Sequence, residues 1–146
     1  MKGLISVLLV FVMIVGVCGV SALAVSDVES AVPYYTNAQT ARVTAQIDDN
    51  GNLSIKPYCY ALYGTTMIEA TTYLEFQTGW TWVRIANGQP DNQWESSATS
   101  LYFSETYKYQ IQMSGTFRAT TIFDVTRNGN TETITVHSEE FSYSPN

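Results

Sequence analysis

The sequence from about residue 41 onward alternates between apolar and polar side chains with a period of two. Val43, Ala45 and Ile47 occupy every second position, residues 48–52 read Asp-Asp-Asn-Gly-Asn, and the alternation resumes at Leu53. Successive side chains of a β-strand point to opposite faces, so this pattern predicts strands with one buried face. The turn between them, rich in Asp, Asn and Gly, predicts a β-hairpin.

A second hairpin is predicted directly after the first. The run from Ile68 to Phe76 keeps its apolar residues on one face, turns at residues 78–79, and returns through residues 80–85. The sequence Asn-Gly-Gln-Pro at 87–90 then ends the pattern, because glycine and proline interrupt regular β-structure.

The rest of the chain carries the same signal, and helical periodicity is almost absent. A polar stretch at 91–99 precedes a short predicted strand at 101–103, and alternation then continues over 107–127. An Asn-Gly-Asn turn at 128–130 leads into a last strand at 132–137. These residues therefore predict β-structure to the end of the chain.

Seven or so short strands, with turns about every ten residues, predict an all-β fold, and we expect an antiparallel immunoglobulin-like β-sandwich. We assign the sandwich to residues 41–146 and an extended leader to residues 25–40. The tyrosines of the leader are expected to cover Tyr58 and Tyr60, which lie opposite the apolar face of their own strand.

Residues 1–24 have the parts of a secretory signal peptide. Lys2 provides a positive start, residues 4–20 form an apolar run, and Ala-Leu-Ala at 22–24 is a small-x-small cleavage site. The run is also long enough for a membrane anchor, but no Lys or Arg cluster follows it, so we favour cleavage. We therefore expect a secreted protein, either released outside the cell or held at a bacterial cell envelope.

The charge and the cysteines restrict the classes of partner. The chain has 13 Asp and Glu against 7 Lys and Arg, a net charge of −6, and its basic residues form no cluster. We therefore expect no nucleic acid partner, and no membrane partner after signal cleavage. Cys18 lies in the signal, so Cys59 has no partner for an internal disulfide, which is more typical of bacterial exported proteins.

Several motifs follow one another in a recognisable order. They are Pro-Tyr-Tyr-Thr at 33–36, a strand with the single cysteine Cys59, a tyrosine-rich run at 107–117, and Gly-Asn-Thr-Glu-Thr-Ile-Thr-Val at 129–136. This order resembles a family of small secreted β-sandwich proteins of Gram-positive bacteria that is catalogued as a domain of unknown function. The resemblance implies a secreted immunoglobulin-like fold and no activity, so it assigns no functional residue.

The residue types that nucleophilic catalysis needs are scarce. His137 is the single histidine, and we interpret it as a surface residue at a strand end, although a dyad with Cys59 stays open. Cys59 belongs to an apolar alternating set, which favours a buried, inert thiol over a reactive one. Asp48 begins a stretch that resembles a calcium loop, but Gly51 is misplaced for one, so we favour a plain turn and expect no metal or cofactor.

Carboxylate pairs are the remaining catalytic candidates. Glu69 with Glu75, or Asp91 with Glu95, are the pairs that a small glycan hydrolase would use. Sequence spacing alone does not place either pair across a cleft, so we expect a protein that is not an enzyme and keep the hydrolase as an alternative.

The aromatic residues provide the strongest candidate binding site. Alternation puts Trp80, Trp82 and Arg84 on one face of the second hairpin, and Trp94 is expected to border the same surface. Arg84 is expected to lie over an indole and leave one aromatic face free for a ligand. The opposing interpretation is that one tryptophan is buried as the central core residue of the sandwich.

A strip of Trp and Arg suits a glycan or a cell-surface protein as partner. We therefore expect a secreted, non-catalytic binding or surface-interaction module. A secreted effector or inhibitor that acts on another protein is a further alternative.

Overall fold

The computed structural model describes residues 34–145, and over this range the chain forms ten β-strands. These are β1 (Ala38–Ile47), β2 (Asn52–Ala61), β3 (Thr65–Thr78), β4 (Thr81–Arg84), β5 (Trp94–Ala98), β6 (Tyr102–Ser104), β7 (Tyr107–Gln110), β8 (Gly115–Arg127), β9 (Asn130–His137) and β10 (Phe141–Tyr143). A single 3₁₀ turn, Pro90–Asn92, lies between β4 and β5. In this part of the chain, no helix has the length and apolar character needed to cross a membrane.

The strands form two antiparallel sheets. In the smaller sheet β2 is central, with β1 on one edge and with β6 and β7 in tandem on the other. In the larger sheet β3 pairs with β8, β4 and β5 share the free edge of β3, and β9 and β10 share the free edge of β8. Tandem strands occupy one position each, which leaves three positions in one sheet and four in the other. The predicted all-β fold, an antiparallel β-sandwich, is confirmed.

The core lies between the sheets and follows the predicted alternation. On β2, Leu53, Ile55, Cys59 and Ala61 are all buried. Two clusters fill the interior, one that includes Cys59 with Phe103 and Phe123 and one that includes Leu53 and Ile55 with Leu74 and Phe117. The first hairpin has the predicted register, because Ile47 pairs with Leu53 across the turn.

The strand β5 was not predicted, because its sequence is polar. Trp94, Ser96 and Ala98 face inward, while Glu95 and Ser97 pair with outward positions of β3. An edge strand needs few apolar residues when the neighbouring strand provides the hydrogen bonds, so its sequence signal is weak.

The predicted continuous run at 107–127 is two strands in different sheets. The chain leaves the smaller sheet after Gln110 and enters the larger sheet at Gly115. Four residues separate the two strands. Tyr107 and Tyr109 pack against the core from the smaller sheet, and Phe117 and Ala119 do so from the larger one. Both strands therefore have their inward residues at odd numbers, and the two patterns read as one in the sequence. Glycine fits at position 115 because a Cβ atom there would collide with the ring of Phe76.

The start of the sandwich lies earlier than the predicted boundary at residue 41, because β1 begins at Ala38. The carboxylate of Glu132 accepts hydrogen bonds from the backbone N–H groups of Thr36 and Asn37, which fix the chain just before β1. The predicted signal peptide and most of the leader lie outside the described residues.

The leader tyrosines do not provide the expected cover for Tyr58 and Tyr60. Tyr34 is 96% exposed, and Tyr35 packs against the interior cluster that contains Cys59, on the opposite side of β2. Tyr60 remains 40% exposed. The expectation was wrong for the described residues because Tyr35 finds apolar neighbours in the core instead.

Candidate functional site on the outer face of the larger sheet

The register of the second hairpin places Trp82 and Arg84 on the outer face of the larger sheet. On β4, Val83 pairs with Phe76 of the inward set, so the residues on either side of Val83 point outward. Trp82 pairs with Gln77, and Arg84 pairs with Glu75. The sequence prediction therefore identified two neighbours on a common face correctly.

Trp80 is not part of this face. It lies in the two-residue turn between Thr78 and Thr81, and its side chain is completely exposed. Period-two alternation applies only within a strand, and β4 begins after Trp80. The predicted strip of three residues is therefore reduced to Trp82 and Arg84.

Trp94 does not border this face either, so that expectation was wrong. On β5 it pairs with Thr72, a buried inward residue, and its ring stacks on Tyr107 with centroids 5.3 Å apart. The hydroxyl of Tyr107 donates to Oγ of Ser96 at 2.8 Å, and burial raises the pKa of this tyrosine. Trp94 is half-buried at the edge of the core because β5 presents its side chain inward.

Arg118 on β8 organises the face around Trp82. Its guanidinium carbon lies 4.3 Å from the centroid of the Trp82 ring, and its Nε donates to Oε2 of Glu75 at 2.8 Å. One charged group thus makes a cation–π contact and an ion pair at the same time. The sequence predicted that Arg84 would lie over an indole, and that prediction was wrong.

Arg84 contacts a tyrosine and a loop instead. Its guanidinium carbon lies 3.8 Å from the ring centroid of Tyr73, a diagonal neighbour on β3. Its Nη1 donates to Oε1 of Gln93 at 2.9 Å and to the backbone oxygen of Asp91 at 3.2 Å. Arg84 therefore connects the sheet to the chain that leads from β4 to β5.

Glu75 is the buried anion of the site. Burial is the largest single influence and raises its pKa, but hydrogen bonds from Arg118 and Thr120, together with the positive charge of Arg118, bring the pKa below its usual range. The hydroxyl of Thr120 donates to Glu75, so Nδ1 of His137 must donate its own hydrogen to Thr120 Oγ1, 2.8 Å away. A connected network thus extends from Trp82 to His137 across four strands, β4, β3, β8 and β9. We call Tyr73, Glu75, Trp82, Arg84 and Arg118 the Trp82 face.

The two carboxylate pairs that were candidates for glycan hydrolysis differ from each other in where they lie. Glu69 and Glu75 lie six residues apart on one strand, a separation of roughly 20 Å. Glycosidases hold their two carboxyl groups roughly 5 to 9.5 Å apart, so this pair does not fit. Asp91 lies in the 3₁₀ turn, and Glu95 accepts a hydrogen bond from Gln93. Glu69 and Glu75 therefore do not support the alternative of a glycan hydrolase.

One pair of carboxylates that the sequence analysis did not nominate does come together. Glu69 and Asp124 occupy directly paired positions of β3 and β8, beside a surface depression of about 400 Å³. Thr133 donates a hydrogen bond to Asp124. Among the described residues, no three His, Cys, Asp or Glu side chains cluster in the way that a metal ion requires.

Cys59 and His137 lie on opposite sides of the fold. Cys59 is fully buried between the sheets, whereas His137 is exposed at the end of β9. Burial, with a smaller contribution from Glu132, raises the pKa of the Cys59 thiol to about 11. The dyad left open by the sequence is therefore not formed, and the interpretation of Cys59 as a buried thiol is confirmed.

The segment with calcium-like spacing is a hairpin turn. Asp48 accepts hydrogen bonds from the backbone N–H groups of Asn50 and Asn52 and from the side-chain amide of Asn52. These bonds, the side-chain bond above all, lower the pKa of Asp48. Gly51 has a positive φ of 81°, and a Cβ there would lie 2.5 Å from the backbone oxygen of Ile111. The carboxylate of Asp48 thus stabilises the turn itself.

The sequence analysis missed Tyr73 and Arg118. Alternation of β3 would have placed Tyr73 outward, but nothing in one sequence shows that β8 lies beside β3 and brings Arg118 to the same place. No protein-family model matches this chain, and a search of curated protein sequences returns no significant similarity.

Proposed function

We propose that this chain is a secreted, non-catalytic binding module that uses the Trp82 face to recognise a protein on a cell surface. One observation carries the proposal. Arg118 holds the ring of Trp82 and the carboxylate of Glu75 together, so the aromatic and charged groups of this face are ordered before a ligand arrives. Such ordering reduces the entropy that binding costs.

The composition of the face supports a protein partner. Trp, Tyr and Arg contribute most often to the binding energy of protein interfaces, and all three types meet here. The residues lie on adjacent strands of an open sheet surface, whereas small ligands prefer concave pockets. A secreted effector or inhibitor would use the same face, since it also binds a protein.

The test measures binding of the labelled protein to intact cells. The variant Trp82→Ala removes the centre of the face, and we expect at least about tenfold weaker binding, the effect of losing an interface hot spot. The variant Trp80→Ala is the matched control, because it removes an indole that lies outside the face.

Two treatments of the cells identify the class of partner. Limited proteolysis of the cell surface should abolish the part of the binding that Trp82→Ala loses, and periodate oxidation of surface sugars should leave that part intact. The opposite result would replace the protein partner with a glycan. Equal binding by wild type and Trp82→Ala would contradict the proposed function.

A further inference from the structure

The strands of the smaller sheet have a charge opposite to that of the whole chain. Arg42, Lys56 and Lys108 project from their outer face, and β1, β2, β6 and β7 contain no Asp or Glu. A carboxylate lies close by in the turn between β1 and β2, where the charge of Lys108 helps to lower the pKa of Asp48. The chain as a whole has a net charge of −6. Cationic side chains are therefore concentrated on one surface of an acidic protein.

Three tyrosines share this surface with the cations. The rings of Tyr58 and Tyr102 meet edge to face at 5.3 Å, and the guanidinium carbon of Arg42 lies 4.7 Å from the Tyr58 centroid. Tyr60 pairs directly with Tyr102, and the two are 40% and 52% exposed. These contacts order the aromatic rings while leaving much of their surface open.

The cations and tyrosines follow the direction of β2. Ser54, Lys56, Tyr58 and Tyr60 are successive outward positions, and they span about 20 Å in steps of about 7 Å. Lys108 pairs with Ser54, so it extends the row of cations at one end of this line. Three strands are only about 10 Å wide. We call this narrow strip the Tyr58 face, with Arg42, Lys56, Tyr58, Tyr60, Tyr102 and Lys108 as its members.

We propose that the Tyr58 face binds an acidic polysaccharide in which uronic acid units alternate with neutral sugars. The tyrosine rings stack on sugar rings, and Arg42, Lys56 and Lys108 bind the carboxylates attached to them. A linear strip suits an extended polymer. This site is separate from the Trp82 face, which lies on the other sheet.

The charge pattern favours this polymer over other polyanions. A nucleic acid has a phosphate on every nucleotide, and its affinity for a protein depends largely on how many phosphates Lys and Arg neutralise, which three cations limit to a few. The net negative charge of the chain also repels a densely charged polymer at long range. A glycan with a carboxylate only on alternate sugars needs few cations, and its sugar rings can stack on the tyrosines that continue the strip beyond Lys56.

The experiment measures binding of hyaluronan oligosaccharides, which alternate glucuronate with a neutral sugar, to protein purified after expression of the full chain. We expect binding that weakens as salt increases, and no binding of neutral dextran. Lys56→Ala and Tyr60→Ala should each weaken hyaluronan binding at least about fivefold, the size of a modest interface contribution.

Two control variants separate this site from other surfaces. Tyr63 is 88% exposed and lies in the loop after β2, so Tyr63→Ala should bind hyaluronan as wild type does. Arg84→Ala, on the Trp82 face, should also leave hyaluronan binding unchanged. Hyaluronan binding that survives Lys56→Ala and Tyr60→Ala, or its absence in wild type, would overturn the proposal.

Two other probes test the chemistry of recognition. A single-stranded DNA oligonucleotide and polyglutamate should bind much more weakly than hyaluronan at equal salt. Comparable binding of either one would show attraction to polyanions in general and would overturn the assignment to a polysaccharide. Failure of this proposal leaves the Trp82 face untouched, because its variants and its cellular readout are different.

Discussion

Both outer faces of the sandwich combine aromatic rings with cations, but only one of them pairs a cation with a carboxylate. On the Trp82 face, Arg118 is paired with Glu75, and this is the ion pair found among the described residues. On the Tyr58 face, Lys56 and Lys108 stand on strands that contain no carboxylate. The Trp82 face, whose carboxylate is paired with Arg118, offers shape and ordered aromatic rings to a partner, whereas the Tyr58 face offers the charge of its cations.

The contrast has a structural origin in the side chains that pair across each sheet. In the larger sheet, Glu75 of β3 and Arg118 of β8 occupy directly paired positions and shield one another from water. In the smaller sheet, Lys56 pairs with Thr44 and Lys108 pairs with Ser54, so neither lysine has a carboxylate as its cross-strand partner. Both lysines are exposed.

The largest effect is expected at Cys59, which lies directly behind the Tyr58 face on the inner side of β2. Its thiol should react with a maleimide at least about a thousandfold more slowly in the native protein than in urea, because labelling requires the sandwich to open. The raised pKa of about 11 slows the reaction further, since little thiolate exists at neutral pH. Rapid native labelling would show that the smaller sheet is the weaker part of the fold.

The next largest effect is expected from breaking the pair on the Trp82 face. Glu75→Ala leaves Arg118 and Thr120 without their acceptor and should lower the free energy of unfolding by about 1–3 kcal/mol. Lys56→Ala on the Tyr58 face should change it by less than about 0.5 kcal/mol. Urea denaturation measures both. Equal effects would remove the distinction between the paired charges of the Trp82 face and the cations of the Tyr58 face.

A smaller effect is expected from pH. The pKa of Glu75 is depressed by folding, so its contribution to stability is complete above the unfolded value of about 4.3 and disappears as pH falls through the lower folded value. The difference in unfolding free energy between wild type and Glu75→Gln should therefore shrink below about pH 4.3. Asp48 also has a lowered pKa, but it is common to both proteins and cancels. A difference that stays constant down to pH 2 would contradict this account.

The smallest effect on stability is expected at Trp80, which lies in the turn beside the Trp82 face. Trp80→Ala removes a fully exposed indole and should change the free energy of unfolding by less than about 0.5 kcal/mol. Trp82→Ala should cost more, since its ring packs under Arg118. If Trp80→Ala were the more destabilising variant, the turn would belong to the face after all.

Local patterns predicted the strands well where one side of a strand is buried. Alternation located the faces of β2 and β3, and the turns at Gly51 and Gly129 marked the ends of hairpins. The same reasoning failed for β5 and for Trp80. A strand at a sheet edge needs little apolar sequence, and a turn residue obeys no alternation.

The sequence predicted only part of the candidate site, for a similar reason. Trp82 and Arg84 are two residues apart on one strand, so sequence alone placed them together. Arg118 is more than thirty residues away, and Tyr73 lies on the other arm of the hairpin. Their positions depend on which strands pair, and pairing between distant strands leaves no mark in a single sequence.

The sequence by itself determined that this protein folds as a β-sandwich and which side of most strands is buried, because the period of a strand and the removal of apolar surface from water act on neighbouring residues. Only the tertiary structure decided which charges meet. It brought Arg118 to Glu75 and Trp82, and it left Arg42, Lys56 and Lys108 together on strands that contain no carboxylate. Such groupings arise from the order of strands in the two sheets, and that order is a property of the whole chain.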